Sequence, residues 1–482
     1  MTPLGPITAP TPLSRREMLA LSGLGFGALA LEALSPDAAA SSADLAPRRT
    51  HFAPRATSVI FLTQNGGPSQ MDLFDPKPEL NKLDGVRHSE KVEMFQKGSE
   101  TNRLLGSPFR FLARGRCGME LSEVIPHLGS VADEFTLVRS MVSEHNNHTE
   151  GLVLLNTGKI FPGRPALGSW VTYALGSENR NMPGYVVLRD PEGYNTNGTL
   201  LWQNTWLPAV FGGTEFNSQG APVLNLNPPW PLPPGAQRSQ LDLLATLNRA
   251  HQSRHPREAA LEARIQNHEL AARLQLEAAN LFDLAGESEA TKKLYGLDHA
   301  RTKGYGLRLL MARRLVEAGV RFVQVFPPLK PLFQPWDSHR NVHAELQEIC
   351  GYTDHPSAAL IMDLKQRGLL DSTIVIWAGE FGRLPVSQNG TGRDHNRHAF
   401  SLILAGGGFK GGHVHGDTDE VGYRAVQDKV SVPDLHATLL HQLGLDHERL
   451  AFQHQGRSET LTDASVSKAR VVHEILERPH TS

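Results

Sequence analysis

Cysteine is almost missing from this chain: two residues, Cys117 and Cys350, in 482. That excludes a disulfide framework and a thiolate zinc site, and leaves two separate buried thiols or, if folding joins them, one bond. Neither sign of charge prevails. With 48 Lys and Arg against 50 Asp and Glu the formal charge is -2, so nothing calls for nucleic acid or an anionic lipid surface as a partner. Long apolar runs are missing too. The longest, residues 19–34, is interrupted by Glu32 and falls short of the roughly 20 residues a bilayer span needs. A mean hydropathy of -0.30 and 40% hydrophobic residues are those of an ordinary globular protein with a large core.

What is there begins at the N-terminus. Arg15-Arg16 precede the Gly/Ala-rich run, and Ala38-Ala39-Ala40 offer a small-residue cleavage site. Together they read as a twin-arginine export signal over residues 1–40, implying the twin-arginine export machinery as a partner and a periplasmic or secreted protein. That route carries folded proteins and suits a cofactor loaded before export. Residues 41–57 are expected to be a disordered linker, 58–465 a single domain and 466–482 a tail. Within the domain, 183–234 is rich in Gly, Pro, Asn and Trp and reads as loops and short strands, a loop-rich cap or rim near the site. Residues 256–294, with Leu261, Ile265, Leu274, Leu281 and Leu284 at helical spacing, read as a helical insertion packed outside the sheet.

The first folded element is the apolar run 58–62, ended by Asn65-Gly66-Gly67-Pro68 as a strand meets a turn. A helix is expected over 149–155, stopping at Thr157-Gly158. From residue 305 one rhythm repeats: helix 305–318, strand 320–326, helix 357–367, strand 373–378, strand 400–405, helix 433–443. Apolar strands alternating with amphipathic helices predict an α/β fold, a mostly parallel central sheet with helices on both faces. In such sheets the site forms just past the carboxyl ends of the strands.

The segments flanking these strands carry imidazoles and acids. Asn65, then Asp72 and Asp75, come after the first; Asp337, His339 and His343 come after the strand ending at Phe326; Glu380 and Arg383 come after Ala378; and Asp394, His395 and His398 precede Phe400. Each is weak alone, since Asp337 with His339 is more often a loop hydrogen bond than a ligand pair. Jointly they predict a metal site, with zinc, manganese or iron favoured over calcium, which prefers oxygen cages.

Three stretches carry a family resemblance. Asp72-Leu73-Phe74-Asp75-Pro76-Lys77-Pro78, Gly392-Arg393-Asp394-His395 with the glycine-rich 404–412, and Thr418-Asp419-Glu420 followed by Asp434-Leu435-His436-Ala437-Thr438-Leu439-Leu440 resemble signatures of the bacterial domain-of-unknown-function family numbered 1501. Over most of the chain after the signal, the resemblance implies an alkaline phosphatase-like fold, of the superfamily that includes the sulfatases. It implies two divalent ions, zinc or manganese, with Asp337, His339 and His395 on one, Glu380 on the other, and Asp394 and Asn65 as further ligands. Asn65 stands where the superfamily has a metal-binding Asp. His148 stands where sulfatases place a modified Cys or Ser, without their Cys/Ser-x-Pro-x-Arg context, so the usual nucleophile is absent. His148 is then a candidate nucleophile, acid/base or ligand, with Asn147 beside it; Arg383 and Arg393 are candidates to hold a substrate anion, or are simply solvated. The implied activity is hydrolysis of a phosphate or sulfate ester, of a small molecule or a polysaccharide. The Trp and Asn residues between Trp202 and Trp230 would stack on sugars or, more commonly, pack a rim. The competing reading is an envelope protein that keeps the fold and binds metal or glycan without turnover.

Overall fold

The structure is a computed structural model that describes residues 45–179, 181–218, 233, 235–254, 265, 269–270, 283–329 and 334–478. The export signal read at 1–40, most of the helical insertion and Trp230 lie outside them. In chain order, the central sheet takes Ser58–Thr63 (β1), Phe135–Val142 (β2), Tyr185–Leu188 (β3), Thr214–Glu215 (β4), Phe322–Val325 (β5), Thr373–Ala378 (β6), Phe400–Ala405 (β7), His413–His415 (β8) and Val430–Ser431 (β9). Their order is β8-β2-β7-β6-β1-β5-β3-β4, with β9 also on β2. All pairs are parallel except those of β7, which runs against both β2 and β6.

The central strands are short and apolar because both faces are covered. Ile60, Leu62, Val323, Val325, Val375 and Trp377 point to one side, under the helices Lys303–Glu317 and Val342–Gln366. Val59, Phe61, Phe322, Ile374 and Ile376 point to the other, under His148–Thr157, Leu167–Leu175 and Val432–Gln442. In chain order these five helices are α1 (148–157), α2 (167–175), α3 (303–317), α4 (342–366) and α5 (432–442). Helix α1 stops where expected, at Gly158, whose φ of 76° is left-handed. Helix α5 starts in a capping box between Ser431 and Asp434.

Several expectations are corrected. Residues 45–57 are no disordered linker: the amides of Arg48, His51, Arg55 and Ala56 bond to the carbonyls of Leu175, Gly444, Gln442 and Gln442. Nor is 466–482 a loose tail, since Val472 and Ile475 are buried and the Val472 amide donates to Thr438 Oγ1. Short strands were expected in the supposed cap, but one of them, β3, lies in the buried central sheet rather than at a rim. Helix α4 begins fifteen residues before Ser357, capped by Asn341, and runs through Pro356. A proline so placed reads as a helix start, whereas here packing on α3 outweighs the lost hydrogen bond. Both cysteines are free, and Cys117 is exposed rather than buried.

Candidate metal centre

Strand ends deliver the site. Past β1 the chain turns at Gly66, with φ +118°, where an added Cβ would sit 2.7 Å from the amide nitrogen of Trp336 and 2.8 Å from that of Asp337. Only glycine lets the two loops approach this closely. Past β6 comes Glu380, fully buried, its two oxygens 3.0 and 3.1 Å from the Gly66 amide. The hairpin Gly382–Gln388 and Gly392–Asn396 then crosses the same edge before β7.

Here His148, Asp337, His339 and His395 meet, with one ligand atom of each within 4.8 Å of all the others. Asp337 Oδ1 lies 3.2 Å from His148 Nε2, 2.8 Å from His339 Nε2 and 3.1 Å from His395 Nε2. The His339 and His395 Nε2 atoms are 2.9 Å apart. Ligands bonded at about 2.0–2.1 Å to one ion are separated by about 3.0–3.4 Å, so these atoms, now within hydrogen-bond distance, are spaced closely enough to share one ion.

Hydrogen bonds behind the rings set the tautomers. His148 Nδ1 is 2.6 Å from Glu380 Oε1, His395 Nδ1 is 2.6 Å from the Asn146 carbonyl, and His339 Nδ1 bonds Gln388 Oε1. The Gln388 amide is itself oriented, its Nε2 donating to the Lys97 carbonyl. All three partners are acceptors, so each Nδ1 carries a proton and each Nε2 is the atom turned toward Asp337, where a metal ion can take the place of any proton it holds. Carboxylate, carbonyl and amide oxygens in this role are what metal-bound histidines use. Three imidazole Nε2 atoms and a carboxylate thus face one another, and among the described residues Arg383 is the only guanidinium touching Asp337, 2.6 Å away.

Titration expresses the same pull on positive charge. Burial lowers the basicity of His148, but its bonds to Asp337 and Glu380 outweigh that and push it up to about 9. Burial raises the Asp337 carboxyl, but Arg383 and the three imidazoles hold it far below the usual range. Burial, with Arg383 and His148 nearby, takes His395 down to about 3.

Other expected residues fall elsewhere. Glu380 reaches the group through His148 and is no direct member. Asp394 turns away: Oδ2 accepts from the amides of Phe95 and Gln96 at 2.7 and 2.8 Å, and Oδ1 from that of His395 at 2.8 Å. Asn65 bonds Gln334 through Nδ2 and leaves Oδ1 buried and unpartnered. Asn147 is spent on Glu150, 2.6 Å away. Neither arginine is free for a substrate. Arg383, fully buried, bonds Asp337 and the carbonyls of Gly66, Gly67 and Arg393. Arg393 grips Asp72 with two nitrogens at 2.7 and 3.1 Å, both residues fully buried. Two of the signature stretches are therefore one internal ion pair. His343 stacks on Phe109, His398 pairs with Glu93, and Trp202 and Trp206 pack against Phe326 and Phe452. Sequence reasoning missed Gln388 and Asn146; a side-chain amide and a backbone carbonyl carry no pattern.

Residues 56–476 match the family described as protein of unknown function, DUF1501. No curated protein matches. Among solved structures, a phosphonate monoester hydrolase from Silicibacter pomeroyi aligns at 13% identity over 74% of this chain and 73% of its own, with a TM-score of 0.34. A protein in the alkaline phosphatase superfamily from Vibrio parahaemolyticus aligns at 11% identity over 83% and 69%, TM-score 0.35. A sulfatase from Pseudoalteromonas sp. aligns at 13% over 91% and 73%, TM-score 0.35.

Proposed function

The chain belongs to the DUF1501 family, and we propose that within it this protein is an exported, metal-dependent hydrolase of phosphate or sulfate esters. The observation that carries the reading is the convergence of three imidazole Nε2 atoms on one carboxylate, each ring held from behind by an acceptor. Such a set favours a cation at its centre, and a metal ion can take the place of the proton that His148 otherwise holds there. Imidazole with carboxylate suits zinc or manganese. When bound, such an ion polarises an ester oxygen and brings the pKa of a coordinated water toward neutrality, which removes the need for a side-chain nucleophile.

The chain's own residues divide the remaining work. His148, His339, His395 and Asp337 would hold the ion. Glu380 keeps the proton of His148 on Nδ1, which makes His148 a ligand rather than a nucleophile. Arg383 fixes Asp337. Phe95 and Phe381 lie against the His395 ring at 4.7 and 4.6 Å and keep water off it, whereas Asp337, with 21% of its side chain exposed, marks the open side. One described cluster supports one ion; a second, at Glu380 and the unpartnered Asn65 oxygen, belongs to this proposal as well. Export rests on Arg15-Arg16 and the apolar run behind them.

Metal binding without turnover has one observation in its favour: both arginines expected to hold a substrate anion are committed inside the fold. Mature protein should be assayed for metal and for cleavage of aryl phosphates and aryl sulfates beside His395→Ala. The hydrolase reading expects metal-dependent turnover that disappears in the variant. Bound metal with no turnover on either ester leaves the binding protein, and a wild-type protein free of metal overturns both.

A further inference from the structure

If Arg383 and Arg393 cannot meet a substrate, something else must. The rim of the metal centre beside His339 and His395 is residues 95–97, which belong to no helix or strand. Two side chains tie this segment to candidate ligands. Asp394 accepts the amides of Phe95 and Gln96 on one oxygen and that of His395 on the other. Gln388 donates to the Lys97 carbonyl while accepting from His339 Nδ1. Each residue of the segment is thereby held at a fixed place relative to the site.

What the segment offers is unusual for a surface turn. Phe95 lies parallel to the His395 ring, 15° from coplanar, yet 39% of it is exposed. An exposed aromatic ring held by its backbone and backed by a metal-ligand candidate is a plate with one free face. Gln96 brings a neutral donor, its Nε2 3.4 Å from His339 Nε2. Lys97 is exposed and makes no ion pair among the described residues. Aromatic plate, amide donor and ammonium succeed one another along three residues beside the site.

We propose that Phe95, Gln96 and Lys97 form the substrate-recognition element, and that the substrate is an oxyanion ester of a ring-bearing alcohol. Phe95 takes the face of the ring, and Gln96 and Lys97 donate to the oxyanion oxygens. The proposal rests on the hydrolase reading for its substrate class, but not on turnover for its test. Phenylphosphonate and benzenesulfonate carry the ring and the oxyanion without a cleavable ester bond; methylphosphonate and methanesulfonate lack the ring.

Binding of all four to metal-loaded protein by calorimetry separates the contributions. Wild type should prefer a phenyl over its methyl counterpart by about three- to tenfold, the range of one aromatic stacking contact. Phe95→Ala should abolish that preference and Phe95→Tyr restore it, with metal content unchanged. Lys97→Ala should weaken phenyl and methyl ligands alike, most strongly at low salt. A phenyl preference that survives Phe95→Ala, binding untouched by Lys97→Ala, or no binding by wild type overturns the assignment. Ring preference without hydrolysis of the corresponding esters would overturn the hydrolase reading alone.

Discussion

Replacing Glu380 by Gln removes one charge and almost no volume, and the contacts of this side chain determine the outcome. The carboxylate has two acceptor oxygens, used by the Gly66 amide and by His148 Nδ1. An amide has one. If its oxygen stays on Gly66, its NH2 faces His148, which can accept only by moving its own proton to Nε2. That closes one of four donors to an ion. Loss of such a partner behind a metal-bound histidine weakens metal binding by about 10- to 100-fold, or about 1.4–2.8 kcal/mol. Stability reads this out. Metal at 100 times the wild-type Kd adds about 2.7 kcal/mol to the folded state, whereas a variant binding 100-fold more weakly gains about 0.4 kcal/mol at the same concentration. Chelator competition gives the affinity, and unfolding with and without metal gives the gain. Glu380→Gln with wild-type affinity would refute the tautomer argument. A stability loss confined to metal-free protein would make Glu380 a structural residue instead.

Three further outcomes are expected. Metal content should separate two aspartates: Asp394→Asn retains bound metal by mass spectrometry and Asp337→Asn loses it, and a metal-free Asp394→Asn would contradict the position of that side chain. Breaking the buried Asp72–Arg393 pair with Arg393→Met should cost about 3–5 kcal/mol in urea unfolding, partly recovered by adding Asp72→Leu; a loss under about 1 kcal/mol would show the pair to be dispensable. His436 on α5 donates from Nε2 to the Leu155 carbonyl and is fully buried, and burial lowers it from 6.5 to about 4. Its contribution is therefore complete above pH 6.5 and falls as pH drops toward 4, because only the unfolded chain takes up the proton. About 2 kcal/mol should be gone by pH 5, and His436→Gln should flatten the slope; an equal slope in the variant would move the effect elsewhere.

Strands β1, β5, β6 and β7 and the ends of α1 and α3 were legible because apolar runs and glycine stops are local signals. Strand β3 was expected only as one of several short strands in a rim, because four residues in a Pro- and Gly-rich window do not show that they belong to the core. The start of α4 was hidden by Pro356, whose presence argues for a boundary that tertiary packing overrides. Asp337, His339, His395 and His148 were legible as residue types at strand and helix ends, and the structure brings the four together. Asp394 misled because its neighbour is a member of the group, and in an extended hairpin adjacent side chains point to opposite faces. Arg383 misled because sequence shows a charge but not its burial. The signature stretch beginning at Asp72 shows the same limit: its first acid serves Arg393, and Asp75 meets Lys77 at 3.0 Å and the Thr418 hydroxyl at 2.5 Å.

The reversed direction of β7 has a consequence for how this edge of the sheet can change. A strand aligned with its neighbours contributes to the site through the loop after it; β7 contributes through the segment before it. His395 therefore sits on a hairpin clamped at both ends, leaving β6 at Ala378 and entering β7 at Phe400. The hairpin's far turn, Asn389-Gly390, is exposed with both residues at positive φ. Extra residues could be spliced there without displacing either anchored end, so this turn is where relatives of differing reach would be expected to differ in length.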